Sequence, residues 1–451
     1  MRFIIIGGVA AGMSAAMKLR RDMPDAEIVV YQKEDIVSYG ACGLPYYLGG
    51  EIASRDNLIV RTAEEFREKS RINLFTGHEV TRIAPESCKV FGQRLNDGFA
   101  FSDYYDKLLI ATGAGPIMPD LSGITSDNVF KLRSITDGDE IHDYMLLHPV
   151  KRAVIIGDGL ISMEMAEAFV NKNIACTIIS AGPVVTKIFD PDMGMLIEQH
   201  LQEKGVDIVH DYMVDSFDTE GSGKATSAVS REKQGVEGDM FLVSIGIRPN
   251  TGFAVEAGLR MGIAGSIKTD EFMRTSDANI YAAGDCAETT NMVTGQRAWI
   301  PLGSTANKMG RIAALNMLGI PTQFKGVAGT SIAKICDITV GKCGISEDEA
   351  KKQGIAYAKI EIDDAARPGY YHNVGKNHYK LLYDPKTGKL LGLQIIGKFG
   401  VDKRIDVFAT AVCAGMTVDQ LFDIDLAYAP PYNKPLDSLH ILSMQADWKR
   451  S

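Results

Sequence analysis

The sequence has no closely spaced pair of cysteines. Its seven cysteines stand singly at positions 42, 88, 176, 286, 336, 343 and 413, and no Cys-x-x-Cys motif occurs. Secreted proteins that depend on disulfides carry regular cysteine frameworks, whereas scattered thiols are typical of the reducing cytosol. We therefore expect a cytoplasmic protein whose thiols are mostly reduced, and we assign no metal site to it.

The sequence also lacks a block of lysine and arginine and a long hydrophobic run. Its formal net charge of −9 excludes nucleic acid as the main partner, because phosphate backbones bind cationic surfaces. The N-terminal "MRFIIIGG" is too short to span a membrane and has no cleavage site, so it fits a strand better. With 451 residues, of which 45% are hydrophobic and 23% charged, the chain predicts a soluble globular enzyme of two to four domains.

Two segments of the chain resemble each other. "RFIIIGGVAAGMSAAMKLRR" (2–21) and "RAVIIGDGLISMEMAEAFVNK" (152–172) each read as an apolar strand, a glycine turn and a helix. Such turns bring a pyrophosphate close to a helix N-terminus. Each copy lacks one glycine of the pattern, since Val9 and Ser162 stand in glycine positions, but two copies in one chain are far more specific than one.

The second strand of each unit ends without the expected acid. An acidic residue at this position normally binds the adenosine ribose. The first unit offers Gln32, with Glu34 two residues on, and the second offers Ser180. Without an acid at the second position a 2′-phosphate is not repelled, but no arginine follows to bind one, so the choice between NADH and NADPH stays open.

Three further strands end in small residues. They are "DKLLIATGAGP" (106–116), "FLVSIGIRPN" (241–250) and "TSDANIYAAGDCAE" (275–288), the last with Asp285 in its turn. Together with the two glycine turns, this set resembles the FAD-dependent pyridine nucleotide-disulfide oxidoreductases along essentially the whole chain. The resemblance implies that the first turn binds FAD, the second binds NADH or NADPH, and Asp285 contacts the ribityl chain.

The resemblance also implies an α/β fold with two Rossmann-like domains and a C-terminal α+β dimerisation domain. The FAD domain would be discontinuous, from 1–117 and 250–322, with the NAD(P)H domain at 118–249 and the dimerisation domain at 323–451. The last segment reads as alternating strands, "KIEI", "HYKLLYD" and "KLLGLQIIG", with helices around 403–422. A homodimer is expected.

The positions that match the family's cofactor contacts lie in these turns and strand ends. They are Gly7, Gly8, Ala10, Ala11, Gly12, Gln32, Lys33, Ala111, Thr112, Gly113, Gly157, Gly159, Leu160, Ile161, Glu164, Gly246 and Asp285. Leu160 replaces the aromatic gate that is common over the flavin in this family.

The stretch "SYGACGLPYYLGG" (38–50) places Cys42 where the family has its redox-active sulfur. Pro45 suits a helix that begins near the cysteine, so the helix dipole should lower the thiol pKa. Tyr47 stands where most members have a second cysteine. The second sulfur must therefore arrive with the substrate as a mixed disulfide, or Cys42 must pass through a sulfenic acid.

Within the single-cysteine branch, the stretch is most similar to coenzyme A-disulfide reductases and NAD(P)H-dependent persulfide or polysulfide reductases. Their active-site tyrosines match Tyr428 and one of Tyr370 and Tyr371, which would act across the dimer as proton donors. Interface packing is the alternative role for these residues.

The substrate contacts that the resemblance implies are Tyr432 and Ser38, together with two arginines. Arg20 and Arg21 match positions near the coenzyme A phosphates, although charges there also suit a helix C-terminus.

The sequence thus predicts a flavoenzyme that reduces coenzyme A disulfide or a related persulfide or polysulfide through Cys42. An NAD(P)H oxidase or peroxidase is the alternative, disfavoured because Ala10 stands where oxygen-reducing members have a histidine. A redox sensor with the same fold is the third interpretation.

Overall fold

A computed structural model describes residues 1–186, 188–221 and 223–450. The first part of the chain contains β1 Arg2–Ile6, α1 Ala10–Asp22, β2 Glu27–Tyr31, α2 Leu44–Gly49, α3 Ala63–Ser70, β3 Asn73–Phe75, β4 His78–Ala84, β5 Lys89–Arg94, β6 Ala100–Tyr104, β7 Lys107–Ile110 and β8 Ala114–Pro116. The next part contains β9 Val129–Phe130, α4 Ile135–Leu147, β10 Arg152–Ile156, α5 Leu160–Asn171, β11 Ala175–Ile179, α6 Pro191–Glu203, β12 Val206–Val209, β13 Ser216–Thr219, β14 Ala225–Val229, β15 Val236–Glu237, β16 Met240–Val243 and β17 Ile247–Pro249.

The remaining elements complete the first sheet and form the C-terminal part. They are α7 Gly252–Glu256, β18 Ile280–Ala282, β19 Thr289–Thr290, β20 Arg297–Ala298, α8 Gly303–Met317, β21 Ser331–Ile335, β22 Ile338–Gly344, α9 Glu347–Gln353, β23 Ala358–Ala365, β24 Lys376–Tyr383, β25 Leu390–Gly397, α10 Val401–Cys413 and α11 Ser438–Arg450. None of the helices in the described ranges is long and apolar enough to cross a membrane.

Two parallel five-stranded sheets have the same plan. The first has the order β18-β7-β1-β2-β3, and the second has the order β12-β11-β10-β16-β9. The inner strands β1, β7, β10 and β16 are short apolar runs that are buried on both faces, as parallel strands covered by helices must be. The edge strand β3 has its two end residues exposed. In both sheets the central strand, β1 or β10, leads into a glycine turn and a helix, so both nucleotide-type turns lie at the carboxyl edge of a sheet.

Segments far apart in sequence share the first sheet. Strand β18 pairs with β7, which pairs with β1. Helix α8 crosses α1 so closely that a Cβ at Gly310 would lie 2.1 Å from the Ala11 carbonyl oxygen. The polypeptide after the second sheet therefore returns to complete the first, while the domain boundaries themselves stay a prediction.

The C-terminal part is built on an antiparallel sheet of order β21-β22-β25-β24-β23, with α10 packed against β22 and β25. The three strands expected from the sequence are present as β23, β24 and β25. The prediction of helices around 403–422 is only partly confirmed. Helix α10 ends at Cys413 because Gly415 adopts φ +70, and residues 414–437 are irregular.

A buried ion cluster joins the second sheet unit to the C-terminal sheet. The Lys380 side chain is 2% exposed, and its Nζ lies 2.7 Å from an Asp192 oxygen and 2.9 Å from a Glu347 oxygen. Asp190, at the start of α6, lies 3.2 Å from the same Nζ. A buried lysine needs such partners, because an unpaired charge is costly away from water.

Candidate active site

The turn after β1 requires its outer glycines. Gly7 has φ +106, and a Cβ there would lie 2.2 Å from the Ala111 carbonyl oxygen. A Cβ at Gly12 would lie 1.8 Å from the Gly7 carbonyl oxygen. Helix α1 begins at Ala10, so the turn presents unpaired backbone N–H groups to a phosphate.

Gln32 holds this turn from the end of β2. Its side chain is buried, and its Oε1 accepts a hydrogen bond of 2.7 Å from the Gly8 N–H. Lys33 is exposed and pairs with Glu79 at 2.7 Å, while Glu34 accepts a hydrogen bond of 3.0 Å from the Tyr39 hydroxyl. Gln32 thus supports the backbone of the turn.

Asp285 lies in the turn after β18 with one satisfied oxygen and one unsatisfied oxygen. Oδ2 accepts a hydrogen bond of 2.9 Å from Arg133 Nη2. Oδ1 is buried without a hydrogen-bond partner among the described residues, and burial raises the pKa of this carboxyl. A buried acceptor without a partner is costly, so the site fits a group that donates a hydroxyl, as the ribityl chain of FAD does.

The segment after β7 lies beside this turn. Gly113 has φ +65, and the Thr112 hydroxyl donates a hydrogen bond of 2.7 Å to the Asn250 carbonyl oxygen. The Ala111 N–H donates to the Ile6 carbonyl oxygen at 2.8 Å. A Cβ at Gly7 would lie 2.2 Å from the Ala111 carbonyl oxygen and 3.3 Å from the Thr112 nitrogen, so this segment lies directly against the first glycine turn.

The turn after β10 repeats the geometry of the first. Gly157 has φ +119, and a Cβ there would lie 2.1 Å from the Ser244 carbonyl oxygen. A Cβ at Gly159 would have no neighbour within 4 Å, and Gly246, at φ +124, follows the adjacent strand β16. The surface in front of Gly159 is therefore open to a second nucleotide.

Helix α5 starts at this turn with Leu160 and Ile161, both partly buried against the core. Ser162, in the place of the third glycine, is fully buried, and its hydroxyl has no partner among the described residues. The helix continues past Glu164 and packs against α2, where a Cβ at Gly49 would lie 3.2 Å from the Ala168 Cα.

Cys42 lies in a single helical turn, Ala41–Gly43, immediately before α2. The residue as a whole is exposed, while its thiol group is partly buried. The charged groups that act on its thiol come from three distant parts of the chain: Glu164 on α5, Arg133 after β9, and Asp285 after β18. Cys42 therefore lies where the first glycine-turn unit meets the second.

The pKa of Cys42 is raised, so the prediction of a lowered pKa is wrong on this point. Partial burial of the thiol is the largest cause, the negative charge of Glu164 is the next, and Asp285 adds to it, whereas Arg133 acts in the opposite direction. Helix α2 has only six residues, and the carboxylates that act on the thiol reach it through tertiary packing from distant parts of the chain.

Glu164 is a strongly perturbed carboxyl beside Cys42. Its pKa is raised to about 7: burial is the largest cause, a hydrogen bond of 3.4 Å from the Tyr46 hydroxyl opposes the rise, and the negative charge of Glu167 adds to it. A group that titrates near neutral pH inside a cleft can hold or release a proton during a reaction.

Comparison with known proteins agrees with this geometry. The family model "Pyridine nucleotide-disulphide oxidoreductase" matches residues 1–310, and the model of that family's dimerisation domain matches residues 330–439. The chain belongs to the pyridine nucleotide-disulphide oxidoreductase family. It is therefore an FAD- and NAD(P)H-dependent oxidoreductase, with the α/β fold and C-terminal dimerisation domain expected from its sequence.

The chain is similar to three family members along almost all of its length. It is 36% identical to a CoA-dependent NAD(P)H sulfur oxidoreductase of Pyrococcus furiosus, over 98% of both chains. It is 31% identical to an NADH oxidase of Methanocaldococcus jannaschii, over 99% of this chain and 98% of that one. A solved NAD-dependent persulfide reductase from A. fulgidus is 39% identical, with a TM-score of 0.96, over 100% of this chain and 83% of that one.

The tyrosines expected to act in this family site lie on the dimerisation domain. The hydroxyl groups of Tyr370 and Tyr428 lie 2.7 Å apart, both side chains are exposed, and their hydrogen bond raises the pKa of Tyr428. Tyr371 is partly buried and stacks on His372, and Tyr432 is exposed. The structure brings the first two together on an open surface of one chain.

The two arginines expected near a substrate phosphate differ in their surroundings. Arg20 donates to four backbone carbonyl oxygens, those of Ser70, Pro24, Ala26 and Arg71, at 2.5–3.0 Å. These bonds use most of its guanidinium to hold the chain itself, and a substrate contact by Arg20 stays a prediction. Arg21 is exposed, and Ser38 is partly buried with φ +48.

Sequence reasoning missed Arg133 and Tyr46. Arg133 pairs with Asp285 and also donates to the Ala114 carbonyl oxygen at 2.9 Å. Tyr46 lies one turn after Cys42 and reaches Glu164. Neither stands in a motif, and the only available signal was the position of Tyr46 within the stretch that contains Cys42.

Proposed function

We propose that this protein uses the single thiol of Cys42 to reduce coenzyme A disulfide, or a related persulfide or polysulfide, with NAD(P)H. The observation that carries the proposal is that the thiol of Cys42 lies in the electrostatic field of both Asp285, which follows β18 of the first sheet, and Glu164, on the helix that follows the second glycine turn. Tyr47 occupies the position of a second cysteine and stacks on His142 at 5.2 Å, and all seven cysteines are free thiols. The partner sulfur must therefore come from the substrate.

We assign the two nucleotides to the two turns. FAD would lie along Gly7, Gly8 and Gly12, with Asp285 Oδ1 accepting from the ribityl chain and the strand ends at 111–113 lining the site. NADH or NADPH would lie against Gly157, Gly159 and the start of α5. When bound, the flavin supplies the ring system that passes electrons from the nicotinamide to sulfur.

The proposed reaction begins with attack of the Cys42 thiolate on a disulfide RS–SR. The S–S bond breaks, RS⁻ leaves, and a mixed disulfide forms between Cys42 and RS. A hydride from NAD(P)H, with two electrons and one proton, converts the mixed disulfide to the Cys42 thiolate and RSH. A second proton neutralises the departing RS⁻, so the net products are two RSH and NAD(P)⁺.

We further propose that the protein is a homodimer and that Tyr428 and Tyr370 protonate the leaving sulfur in the site of the other copy. The exposed hydroxyl pair lies on the domain that matches the dimerisation model. A tyrosine that shares a hydrogen bond with a second hydroxyl is held in place for donation to a thiolate. Tyr432, Arg21 and Ser38 remain candidates for substrate contacts.

Anaerobic turnover of the FAD-loaded enzyme with coenzyme A disulfide, cysteine persulfide and polysulfide tests the proposal. We expect consumption of one NAD(P)H for each disulfide bond, loss of turnover in Cys42→Ser, and full turnover in Cys413→Ser, which changes the other exposed thiol. Mass spectrometry of the unreduced enzyme should show a coenzyme A adduct on Cys42. Disulfide reduction by Cys42→Ser at the wild-type rate would refute the role of this thiol.

A second candidate is an NAD(P)H oxidase or peroxidase that works through the flavin or a Cys42 sulfenate. The similarity to the M. jannaschii NADH oxidase favours this activity, while Ala10 in the first turn counts against it. Oxygen uptake with NAD(P)H, compared with the anaerobic turnover of each sulfur substrate, distinguishes the oxidase from the sulfur reductase. An aerobic rate with oxygen or peroxide far above the anaerobic rate with every sulfur substrate would select the oxidase.

A further inference from the structure

The second glycine turn carries a carboxylate that the sequence pattern does not assign. Asp158 stands between Gly157 and Gly159 and is partly buried. Its Oδ2 accepts a hydrogen bond of 2.7 Å from the Ser180 hydroxyl. The Asp158 carbonyl oxygen also accepts from the Thr186 N–H at 2.9 Å, so the turn is tied to the loop that follows β11.

Ser180 marks the place where a ribose-binding acid is normally found. It is the first residue after β11, which pairs in parallel with β10, and dinucleotide folds place an acidic residue there to bind the adenosine ribose. Asp158 follows β10 at the same edge of the sheet. Its carboxylate therefore reaches the end of β11 from the neighbouring turn, although no acid stands at that strand end in the sequence.

The hydrogen bonds of Ser180 fix the direction of this carboxylate. Ser180 is fully buried, and its Oγ accepts from the Gly182 N–H at 3.2 Å. The hydroxyl has two acceptors within reach, Asp158 Oδ2 at 2.7 Å and the Gly182 carbonyl oxygen at 3.1 Å, and the carboxylate is the nearer and the charged one. Residues 180–186 contain no lysine or arginine, and the first cation after Ser180 is Lys187. Asp211 adds a further acid beside this loop, since its N–H donates to the Gly182 carbonyl oxygen at 3.2 Å.

We infer that Asp158, held by Ser180, takes the role of the missing strand-end acid and makes the enzyme prefer NADH over NADPH. A carboxylate at this edge accepts hydrogen bonds from the ribose hydroxyls and repels a 2′-phosphate. Asp158 determines coenzyme specificity directly, and Ser180 acts as a positioning residue. The inference concerns the nucleotide site and does not depend on which sulfur compound is the substrate.

Calorimetry with non-reacting nucleotides tests the inference apart from turnover. The FAD-loaded enzyme would be titrated with ADP-ribose and with 2′-phospho-ADP-ribose, as wild type, Asp158→Asn, Ser180→Ala and Asp207→Asn. Asp207 is an exposed acid on β12 of the same sheet and serves as the control for a loss of one negative charge. FAD content and melting temperature of each variant report whether the fold is retained.

We expect wild type and Asp207→Asn to bind ADP-ribose at least tenfold more tightly than its 2′-phospho form. Asp158→Asn should reduce this ratio about tenfold, which is the effect of roughly one charge-assisted hydrogen bond. Ser180→Ala should reduce this affinity ratio by less than Asp158→Asn does. The ratio of kcat/KM for NADH to kcat/KM for NADPH should rank the variants in the same order as the affinity ratio. Equal wild-type affinities, or the same ratio in Asp158→Asn and Asp207→Asn, would overturn the inference.

Discussion

Replacing Glu164 with glutamine should make the stability of the protein less dependent on pH and should lower the pKa of the Cys42 thiol. The pKa of Glu164 is raised from about 4.5 to about 7, mainly by burial. Each pH unit corresponds to about 1.4 kcal/mol, so ionising this carboxyl in the folded protein costs about 3 kcal/mol. A raised carboxyl pKa means that the folded state holds its proton more tightly, and this contribution to stability is lost as pH rises from 4.5 through about 7.

Glu164→Gln keeps the shape and a partner for Tyr46 but cannot ionise. At pH 8.5 the variant should be more stable than wild type by up to about 3 kcal/mol, and at pH 4.5 the difference should nearly vanish. Urea unfolding of the FAD-loaded enzyme at the two pH values measures this difference. Glu68→Gln, at an exposed carboxyl on α3, is the control and should leave stability unchanged at both.

The same variant tests the electrostatic link to Cys42. Glu164 is ionised when the thiol titrates, and its charge raises the pKa of Cys42. Removing that charge should lower the thiol pKa, measured as the pH dependence of iodoacetamide labelling of the Cys42 peptide by mass spectrometry. A stability change that is equal at both pH values, together with an unaltered labelling profile, would refute the reasoning about Glu164.

Three further substitutions test the scaffold and the proposed acid. Lys380→Met should lower the free energy of unfolding in urea by about 3–5 kcal/mol, because it removes the lysine that pairs with the buried carboxylate of Asp190. An unchanged free energy of unfolding would show that the cluster has little net value. Gly12→Ala should abolish FAD binding, because the new Cβ would lie 1.8 Å from the Gly7 carbonyl oxygen. Gly252→Ala is the control and should keep its FAD, because a Cβ there has no neighbour within 4 Å. Flavin absorbance after gel filtration measures the bound FAD. Tyr428→Phe should lower kcat for disulfide reduction about tenfold or more. The rate of flavin reduction by NAD(P)H, measured by stopped flow, should change little. A kcat equal to that of the wild type would show that Tyr428 takes no part in the reaction.

Local sequence patterns were sufficient to predict the strand, turn and helix that form the scaffold of each nucleotide site. The strand-turn-helix pattern depends on nearby residues, because a glycine with positive φ and an apolar run specify the turn and the buried strand. Gly7 and Gly157 indeed have φ of +106 and +119. The end of α10 was harder to place: helices were expected around 403–422, but the helix ends at Cys413, two residues before Gly415 with its positive φ.

The neighbours of individual side chains could not be predicted from local sequence patterns. Arg20 looked like a free cation at the end of a helix, but the chain folds four carbonyl oxygens around it. Cys42 looked like a thiol at a helix N-terminus, but packing of α2 on α5 brings Glu164 into its field. In both cases the partners are separated in sequence from the residue they act on.

The sequence by itself determined the family, the two nucleotide-type units and the lone cysteine, because each is written in contiguous residues. Only the tertiary structure decided which charges act on that cysteine and that the Asp158 carboxylate lies at the end of β11. Asp158 and Ser180 are 22 positions apart and meet because β10 and β11 end at one sheet edge. Electrostatic energies depend on distance in space and on burial, and neither can be read from spacing along the chain.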